Sequence, residues 1–254
     1  MSEIITDHND PRIKQFLGLK GITKDDYIIG EGFRIVDKMN QKLGLNKVLT
    51  SPKVLDQNSD FFKKFDCEIL FADDDFISEH VGYKFHQGVF AIADHPGFQS
   101  LNNIDHEVLI LNNLDNAENV GALIRSAMGL GFKNILVDNQ SCSPYLKRAI
   151  RVSMGNVFFS NTFKVSNLVE GISQLRDQGY SVYSAANQSD AINYKDLEIK
   201  NRKIGIVIGN EGNGIAEEVK ASSTGIIKIP VMEEVEHINA AAAGAVLMSY
   251  FSPI

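Results

Sequence analysis

The chain has 254 residues, of which 44% are hydrophobic and 22% are charged, and its formal net charge is −7. This composition is typical of a soluble globular protein with one large domain or two small ones. The acidic balance argues against a nucleic-acid partner unless a local basic patch provides the phosphate contacts.

Two further features limit the class of protein. No apolar run approaches the ~20 residues that span a bilayer, and the acidic, polar start of the chain differs from a signal or transit peptide. Cys67 and Cys142 are far apart in sequence, which supports neither a disulfide framework nor a zinc site. We therefore expect a cytoplasmic protein that has no membrane contact and no bound metal.

A polar segment at 94–107, containing Pro96 and Gly97, is predicted to be a linker between two apolar parts. The part before it reads as a small α/β unit. Its predicted strands are 27–30, 47–51, 68–72 and 88–94, and its predicted helices are 31–44, 60–65 and 73–81.

The part after the linker alternates strands and helices more clearly. Its predicted strands are 107–114, 133–139, 203–209 and 225–230, and its predicted helices are 119–130, 144–154, 166–178, 214–221 and 238–251. The strands are continuous apolar runs, as expected when both faces are buried. This pattern predicts a parallel α/β sheet with helices on both faces.

Ligands of open α/β sheets bind at the carboxyl ends of strands, so the first loop of interest follows strand 107–114. Asn116 or Asn119 can cap the helix that begins there. Gly121, Arg125 and Gly129 are four residues apart and share one helical face. Arg125 either meets a ligand that the glycines admit, or extends to the surface with its stem over apolar residues. Spacing alone favours the surface position.

The second loop, Gly209 to Gly214, reads GNEGNG directly after an apolar strand. Its G-x-x-G-x-G pattern is neither the dinucleotide-binding fingerprint nor a P-loop. Glu211 would repel a phosphate, so a neutral or partly cationic ligand suits this loop better. A tight turn with a glycine helix cap explains the pattern equally well.

The third loop precedes the alanine-rich C-terminal helix. Asn239 stands at the start of that helix, where its side chain can cap the helix or bind a ligand. His237 lies two residues earlier, and a lone histidine there is more often structural than catalytic. The alanine run is too small to fill a core, so it must pack closely against another helix or a second subunit.

The densest basic patch lies on the predicted helix 144–154, which carries Lys147, Arg148 and Arg151. Lys147 and Arg151 are four residues apart on that helix, and we expect the patch to contact phosphate. Phosphate contact is also open to four cations of the N-terminal part, although ordinary solvated positions explain them more simply: Lys20, Lys24, Arg34 and Lys38.

The three loops together resemble the motifs of the TrmH/SpoU-type RNA 2′-O-ribose methyltransferases of the SPOUT superfamily. The matching segments, in order, are NAENVGALIRSAMGLGF, KRAIRVSMGNVFF, IVIGNEGNGI and IPVMEEVEHINAAAAGAVLMSY. The segments IIGEGFRIVDKM and HQGVFAIAD are similar to the L30e-like substrate-binding domain of that family. The resemblance implies an L30e-like RNA-binding domain at 1–97 and a trefoil-knotted SPOUT methyltransferase domain at 98–254.

The resemblance also implies the chemistry. Family members are homodimers with the active site at the interface, and they transfer a methyl group from S-adenosylmethionine to a ribose 2′-hydroxyl of RNA, here rRNA rather than tRNA. Arg125 corresponds to the candidate base, and Asn119, Glu211 and Asn239 would build and orient the site. The implied cofactor-binding residues are Gly209, Asn210, Glu211, Gly212, Ile229, Val231, Ile238 and Asn239. The implied RNA-binding residues are Arg125, Lys147, Arg148 and Arg151.

One departure from the family pattern concerns the third motif. The family has Ser-Leu-Asn followed by further serines, whereas this chain has His237, Ile238 and Asn239 followed by alanines. His237 could replace the serine structurally or share the base role. A catalytically altered relative that binds RNA or cofactor is therefore the main alternative. A nucleotide-dependent oxidoreductase is disfavoured, because the chain lacks the dinucleotide fingerprint.

Overall fold

The computed structural model describes residues 4–16, 26–198, 202–235, 237–252 and 254, so Lys20 and Lys24 lie outside the described residues. The chain divides into two compact units. The first unit comprises Met1–Pro96 and Tyr145–Phe158, and the second comprises Gly97–Pro144 and Phe159–Ile254.

The described strands and helices are as follows. The strands are β1 (Tyr27–Glu31), β2 (Lys47–Thr50), β3 (Glu68–Phe71), β4 (Val89–Asp94), β5 (Val108–Leu111), β6 (Asn134–Val137), β7 (Asn161–Lys164), β8 (Ser181–Ala185), β9 (Ile192–Asn193), β10 (Ile204–Ile208) and β11 (Gly225–Lys228). The helices are α1 (Phe33–Leu43), α2 (Pro52–Gln57), α3 (Ser59–Phe62), α4 (Asp74–Val81), α5 (Ala117–Gly129), α6 (Lys147–Val152), α7 (Leu168–Asp177), α8 (Glu217–Ser222) and α9 (Ala240–Phe251).

The first unit has a sheet in the order β1-β4-β2-β3, in which β4 runs antiparallel to both of its neighbours. Its apolar core includes Leu49, Ile77 and Phe90. The sequence did not predict α2, because this six-residue helix buries none of its side chains and shows no apolar period. Its start is fixed by the cap of Ser51, whose Oγ accepts a hydrogen bond from the Val54 amide.

The helix α6 belongs to the first unit, whereas the sequence analysis assigned its residues to the segment 98–254. Its contacts explain the difference, because α6 packs on β1 and Lys147 forms an ion pair with Glu31 at the end of β1.

The second unit has a sheet in the order β7-β6-β5-β10-β8-β11-β9, and each pair of neighbouring strands is parallel. The prediction of a parallel α/β sheet is therefore confirmed. β5, β6 and β10 are buried along their whole length, as their apolar runs predicted. The same expectation was wrong for β11, where only Ile227 is buried, because β11 lies next to the short terminal strand β9.

The sequence missed β7, β8 and β9. Polar side chains interrupt all three, and in β8 buried and half-buried residues alternate. A search for continuous apolar runs does not find such strands.

The alanine-rich helix α9 packs against α5, so another helix provides the close contact that its small side chains require. A Cβ atom at Gly244 would overlap the Leu123 side chain of α5. Val120, Leu123, Ile124 and Ala127 are fully buried, as the helical period of α5 predicted.

Within the described part of the chain, no helix combines the length and hydropathy needed to cross a membrane. The same residues contain no cluster of three or more His, Cys, Asp or Glu side chains that could hold a metal ion.

Candidate active site

The loop after β10 closes on itself. Asn210 and Gly214 exchange two backbone hydrogen bonds, of 3.1 and 2.9 Å. A Cβ atom at Gly209 would lie 2.5 Å from the Gly214 carbonyl oxygen, so the turn requires glycine at that position. The Asn210 side chain donates to the Asn113 carbonyl at 3.0 Å and to the Asp115 carboxylate at 3.1 Å. The glycine loop is thereby fixed to the loop that follows β5.

The loop after β5 is held in turn by Asp138, which follows β6. This carboxylate is 5% exposed and accepts hydrogen bonds from the Asn112 side chain at 2.8 Å, the Asn113 amide at 2.9 Å and the Ser141 amide at 2.7 Å. Asp138 is not among the site residues predicted from the sequence. The available signal was an acidic residue placed directly after a buried strand.

The sequence allows either Asn116 or Asn119 to cap α5, and in the structure the cap is Asn116. Its Oδ1 accepts a hydrogen bond from the Glu118 amide at 2.8 Å. Asn119 is buried and one turn further along, where its Oδ1 accepts from the Asn239 side chain at 3.2 Å. The division of roles leaves Asn119 free to connect α5 with the start of α9.

Asn239 both caps α9 and joins the other predicted site residues. Its Oδ1 accepts from the Ala241 amide at 3.0 Å, while its Nδ2 donates to Asn119 and to Glu211 Oε1. Glu211 Oε1 also accepts from the Ala240 amide at 3.2 Å, which suits a carboxylate at a helix N-terminus. Three of the residues predicted from separate motifs, Asn119, Glu211 and Asn239, therefore form one hydrogen-bonded cluster.

A cavity of about 590 Å³ lies beside this cluster, in the size range of small-molecule sites. Its walls come from the chain after β8, β10 and β11 and from the start of α9. Of the predicted cofactor-binding residues, all but Asn239 line it: Gly209, Asn210, Glu211, Gly212, Ile229, Val231 and Ile238. The segment from Ala185 to Gln188 also lines it, and sequence reasoning missed this wall because β8 was not predicted.

Cys142, which lies near the loops after β5 and β6, is expected to be an unreactive thiol. Burial raises the pKa of Cys142 to about 11, and the neighbouring Asp115 carboxylate acts in the same direction. The side chain is thus a neutral thiol at physiological pH, which disfavours a nucleophilic role.

Arg125 does not join the cluster within one chain. Its side chain is exposed and is not part of the cavity wall, and it makes no hydrogen bond or ion pair with the described residues. Arg125 lies six residues after Asn119, and ~100° of rotation per residue turns it about 120° away from that side chain. The guanidinium therefore points away from the cluster that its own chain builds.

The predicted basic patch lies in the first unit, and its three side chains differ in burial. Lys147 Nζ lies 2.9 Å from the buried Glu31 carboxylate, donates to the Tyr83 hydroxyl and stands over the rings of Tyr83 and Phe90. Burial lowers the pKa of Lys147, and the hydrogen bond to Glu31 opposes that change. Arg148 and Arg151 are exposed. Lys147 thus anchors α6 to β1, and the two arginines supply the outward charge.

The profile of the SpoU rRNA Methylase family matches residues 106–249, which is more than half of the chain and includes every element of the cluster and cavity. The chain belongs to the SpoU rRNA methylase family. A TrmH family tRNA/rRNA methyltransferase of Staphylococcus haemolyticus is 30% identical over 172 residues, which cover 64% of this chain and 68% of the relative. Relatives from Staphylococcus aureus are matched over only 56% of their own length.

Two solved structures share the fold over nearly the whole chain. The AdoMet-bound rRNA methyltransferase of Sinorhizobium meliloti superimposes with a TM-score of 0.84 at 19% identity, covering 98% of this chain and 97% of that one. An RNA 2′-O ribose methyltransferase superimposes with a TM-score of 0.79 at 20% identity, covering 98% of each chain.

Proposed function

We propose that this SpoU family member transfers a methyl group from S-adenosylmethionine to a ribose 2′-hydroxyl of RNA, with rRNA favoured over tRNA. The observation that carries the proposal is the hydrogen-bonded cluster of Asn119, Glu211 and Asn239 beside a ligand-sized cavity. The AdoMet-bound relative and the 2′-O ribose methyltransferase of the same fold support it.

The cavity suits the proposed cofactor. Gly209, Ile229 and Ile238 line it, and their backbone groups carry no net charge with which to bind a nucleoside. The Glu211 carboxylate in the same wall favours a cationic ligand over a phosphate. S-adenosylmethionine supplies an electrophilic methyl group on a positively charged sulfur, which agrees with this wall. Asn119, Glu211 and Asn239 hold the loops in the shape that receives it.

Arg125 is proposed to polarise the ribose hydroxyl or bind the adjoining phosphate. Since Arg125 points away from the cavity of its own chain, we infer that a homodimer supplies it from the partner subunit. The trefoil knot remains part of the proposal. It is supported by the chain that follows β11, which is hydrogen-bonded to the first turn of α5 through Asn119 and to the loop after β10 through Glu211.

The first unit is proposed to act as an L30e-like RNA-binding domain in a cytoplasmic enzyme. Exposed Arg148 and Arg151 would contact phosphate, together with Lys84 and the exposed ring of Tyr83. No acidic residue occurs between 80 and 93 or between 139 and 169, although the whole chain carries a charge of −7. The carboxylate beside this surface, Glu31, is buried and paired with Lys147.

The test is methyl transfer from labelled S-adenosylmethionine to total RNA separated into rRNA and tRNA. We expect label in rRNA, at a nucleotide whose 3′ phosphodiester resists alkaline cleavage, because a 2′-O-methyl group removes the attacking hydroxyl. Label on a base would refute the ribose assignment. Cofactor binding in calorimetry without transfer to either RNA fraction would favour the non-catalytic alternative.

A further inference from the structure

Among the described residues that line the cavity, one is a histidine, His237. It lies two residues before Asn239, the N-cap of α9. The chain next to it is held by Asn239, whose side chain is bonded to Asn119 and Glu211. His237 makes no hydrogen bond or ion pair with any described residue, and its side chain is exposed to the cavity mouth. Its ring nitrogens are thus available to a bound molecule.

The other ionisable groups of this wall already have partners. On the loop after β10, Glu211 accepts the Ala240 amide. On α8, Lys220 Nζ lies 2.5 Å from the Glu217 carboxylate. On β11, Lys228 donates to two backbone carbonyls.

Among the described residues on the segment of His237 itself, the nearest charges do not compete for the role, and Glu236 lies outside the described residues. Glu233 and Glu234 are exposed and are absent from the cavity wall. His237 is therefore the ionisable side chain of the described wall that has no hydrogen-bond or ion-pair partner among the described residues.

Methylation of a hydroxyl requires a proton acceptor. A guanidinium stays protonated in proteins and donates hydrogen bonds only, so Arg125 can orient a hydroxyl or phosphate but accepts a proton poorly. An imidazole titrates near neutral pH and is well suited to general base catalysis.

We propose that His237 is the proton acceptor of the methyl transfer, in addition to the roles of Arg125 and the cluster. This inference rests on the proposed function. The ribose O–H bond breaks and its proton moves to the imidazole, while the oxygen electron pair forms the new bond to the methyl carbon. The carbon–sulfur bond breaks with its electron pair remaining on sulfur. The positive charge thereby passes from sulfur to imidazolium, which releases its proton to water.

The experiment compares His237→Asn and His237→Ser with His106→Asn in the full-length protein. His106 is an exposed residue with φ of 57°, a conformation that asparagine accepts, so it is a matched histidine control. Rates of methyl transfer are measured from about pH 5.5 to 9, which spans the imidazole range. Wild type and the control should slow as the pH falls through about 7 to 6, where imidazoles become protonated.

The two His237 variants should lose roughly 10²- to 10⁴-fold in kcat and lack this acidic decline. Their dissociation constants for S-adenosylmethionine in calorimetry should stay within roughly threefold of wild type, since the change affects proton transfer rather than binding.

A second measurement does not depend on activity. The imidazole NMR signal of His237, identified by its loss in His237→Asn, should change its chemical shift when S-adenosylmethionine is added, because the charged sulfur would lie beside the ring. An active wild type whose His237→Ser variant keeps its kcat and pH profile would overturn the proposal, as would an NMR signal that ignores the cofactor. A wild-type protein that methylates no RNA would instead overturn the proposed function.

Discussion

Single residues fix the geometry of the candidate site. Gly209 is required where the loop after β10 turns back on Gly214, and Glu211 is held where its carboxylate caps α9. Asn239 is satisfied on both sides of its amide, because its oxygen accepts helix amides and its nitrogen donates to Asn119 and Glu211. The site depends on this set of short contacts more than on any one charge.

Gly209→Ala should weaken cofactor binding. The added Cβ would lie 2.5 Å from the Gly214 carbonyl oxygen and from the Ile215 side chain, so the loop must move. We expect an affinity for S-adenosylmethionine lower by at least about tenfold and a free energy of unfolding lower by roughly 1–3 kcal/mol. Calorimetry and urea unfolding measure the two effects. The matched control is Gly225→Ala, whose Cβ meets Tyr183 at an ordinary 3.7 Å. Equal behaviour of the two variants would contradict this account of the loop.

Tyr180→Phe should stabilise the protein. The Tyr180 hydroxyl is buried without a hydrogen-bond partner among the described residues, so its removal should raise the free energy of unfolding by about 1 kcal/mol at pH 8. Urea unfolding measures this change, and a destabilised variant would show that the hydroxyl has a partner.

The same tyrosine should make stability fall at alkaline pH. Burial, aided by Asp105 and Glu107, raises the pKa of Tyr180 to about 12. The folded state holds this proton more tightly than the unfolded state does. The contribution of this proton to the free energy of unfolding is therefore complete below the ordinary tyrosine pKa of about 10 and is lost as the pH rises towards 12. The phenylalanine variant lacks this loss, so its unfolding free energy should fall less between these pH values. Parallel curves for the two proteins would contradict the assignment.

At the scale of elements, the site depends on the packing of α9 against α5. The small side chains of α9 allow α5 to pack close to it. This close packing brings Asn239 Nδ2 within 3.2 Å of Asn119 Oδ1. The contact thus links a packing requirement to the geometry of the cluster.

Gly244→Ala should force the Leu123 side chain of α5 to shift, because the new Cβ would overlap its Cδ2 atom. We expect a loss of roughly 1–3 kcal/mol in unfolding free energy together with weaker cofactor binding. The double variant Gly244→Ala/Leu123→Ala should recover part of the loss due to the glycine change, measured against Leu123→Ala alone in a double-mutant cycle. Strict additivity of the two changes would show that the overlap is relieved elsewhere.

At the scale of the whole molecule, the cavity and Arg125 point to a shared site. One chain builds the cluster and the cavity, while its own Arg125 is exposed and directed away from them. In the homodimer that we propose, each cavity would receive the partner's arginine, which would account for both observations.

Mixing two inactive variants tests this arrangement. Arg125→Ala and Asn239→Ala should each lack methyl transfer, and co-folded mixtures should regain activity. In a mixed dimer, one site then combines an intact Asn239 cluster with an intact arginine from the other chain. Activity is measured on the RNA fraction that wild type methylates, and sedimentation confirms that dimers form. If both groups act within one chain, the mixture stays inactive.

Local sequence patterns are sufficient to predict the parallel α/β fold class and the residues of the three loops. Continuous apolar runs identify β5, β6 and β10, since strands buried on both faces carry few polar residues. Glycine and asparagine after those strands mark the loops, because special backbone angles and helix caps demand those residues locally. The shorter, polar strands β7, β8 and β9 lack this local signal.

How these residues combine depends on long-range packing. Asn119 and Asn239 are 120 positions apart, so no local sequence pattern predicts the hydrogen bond between them. Nor does a local pattern predict that Asn116 rather than Asn119 caps α5. Likewise, Lys147 resembles Arg148 and Arg151 in sequence, yet its ion pair with Glu31 in β1 separates its role from theirs. Local patterns specify elements and turns, whereas pairings over long separations depend on the packing of the complete chain.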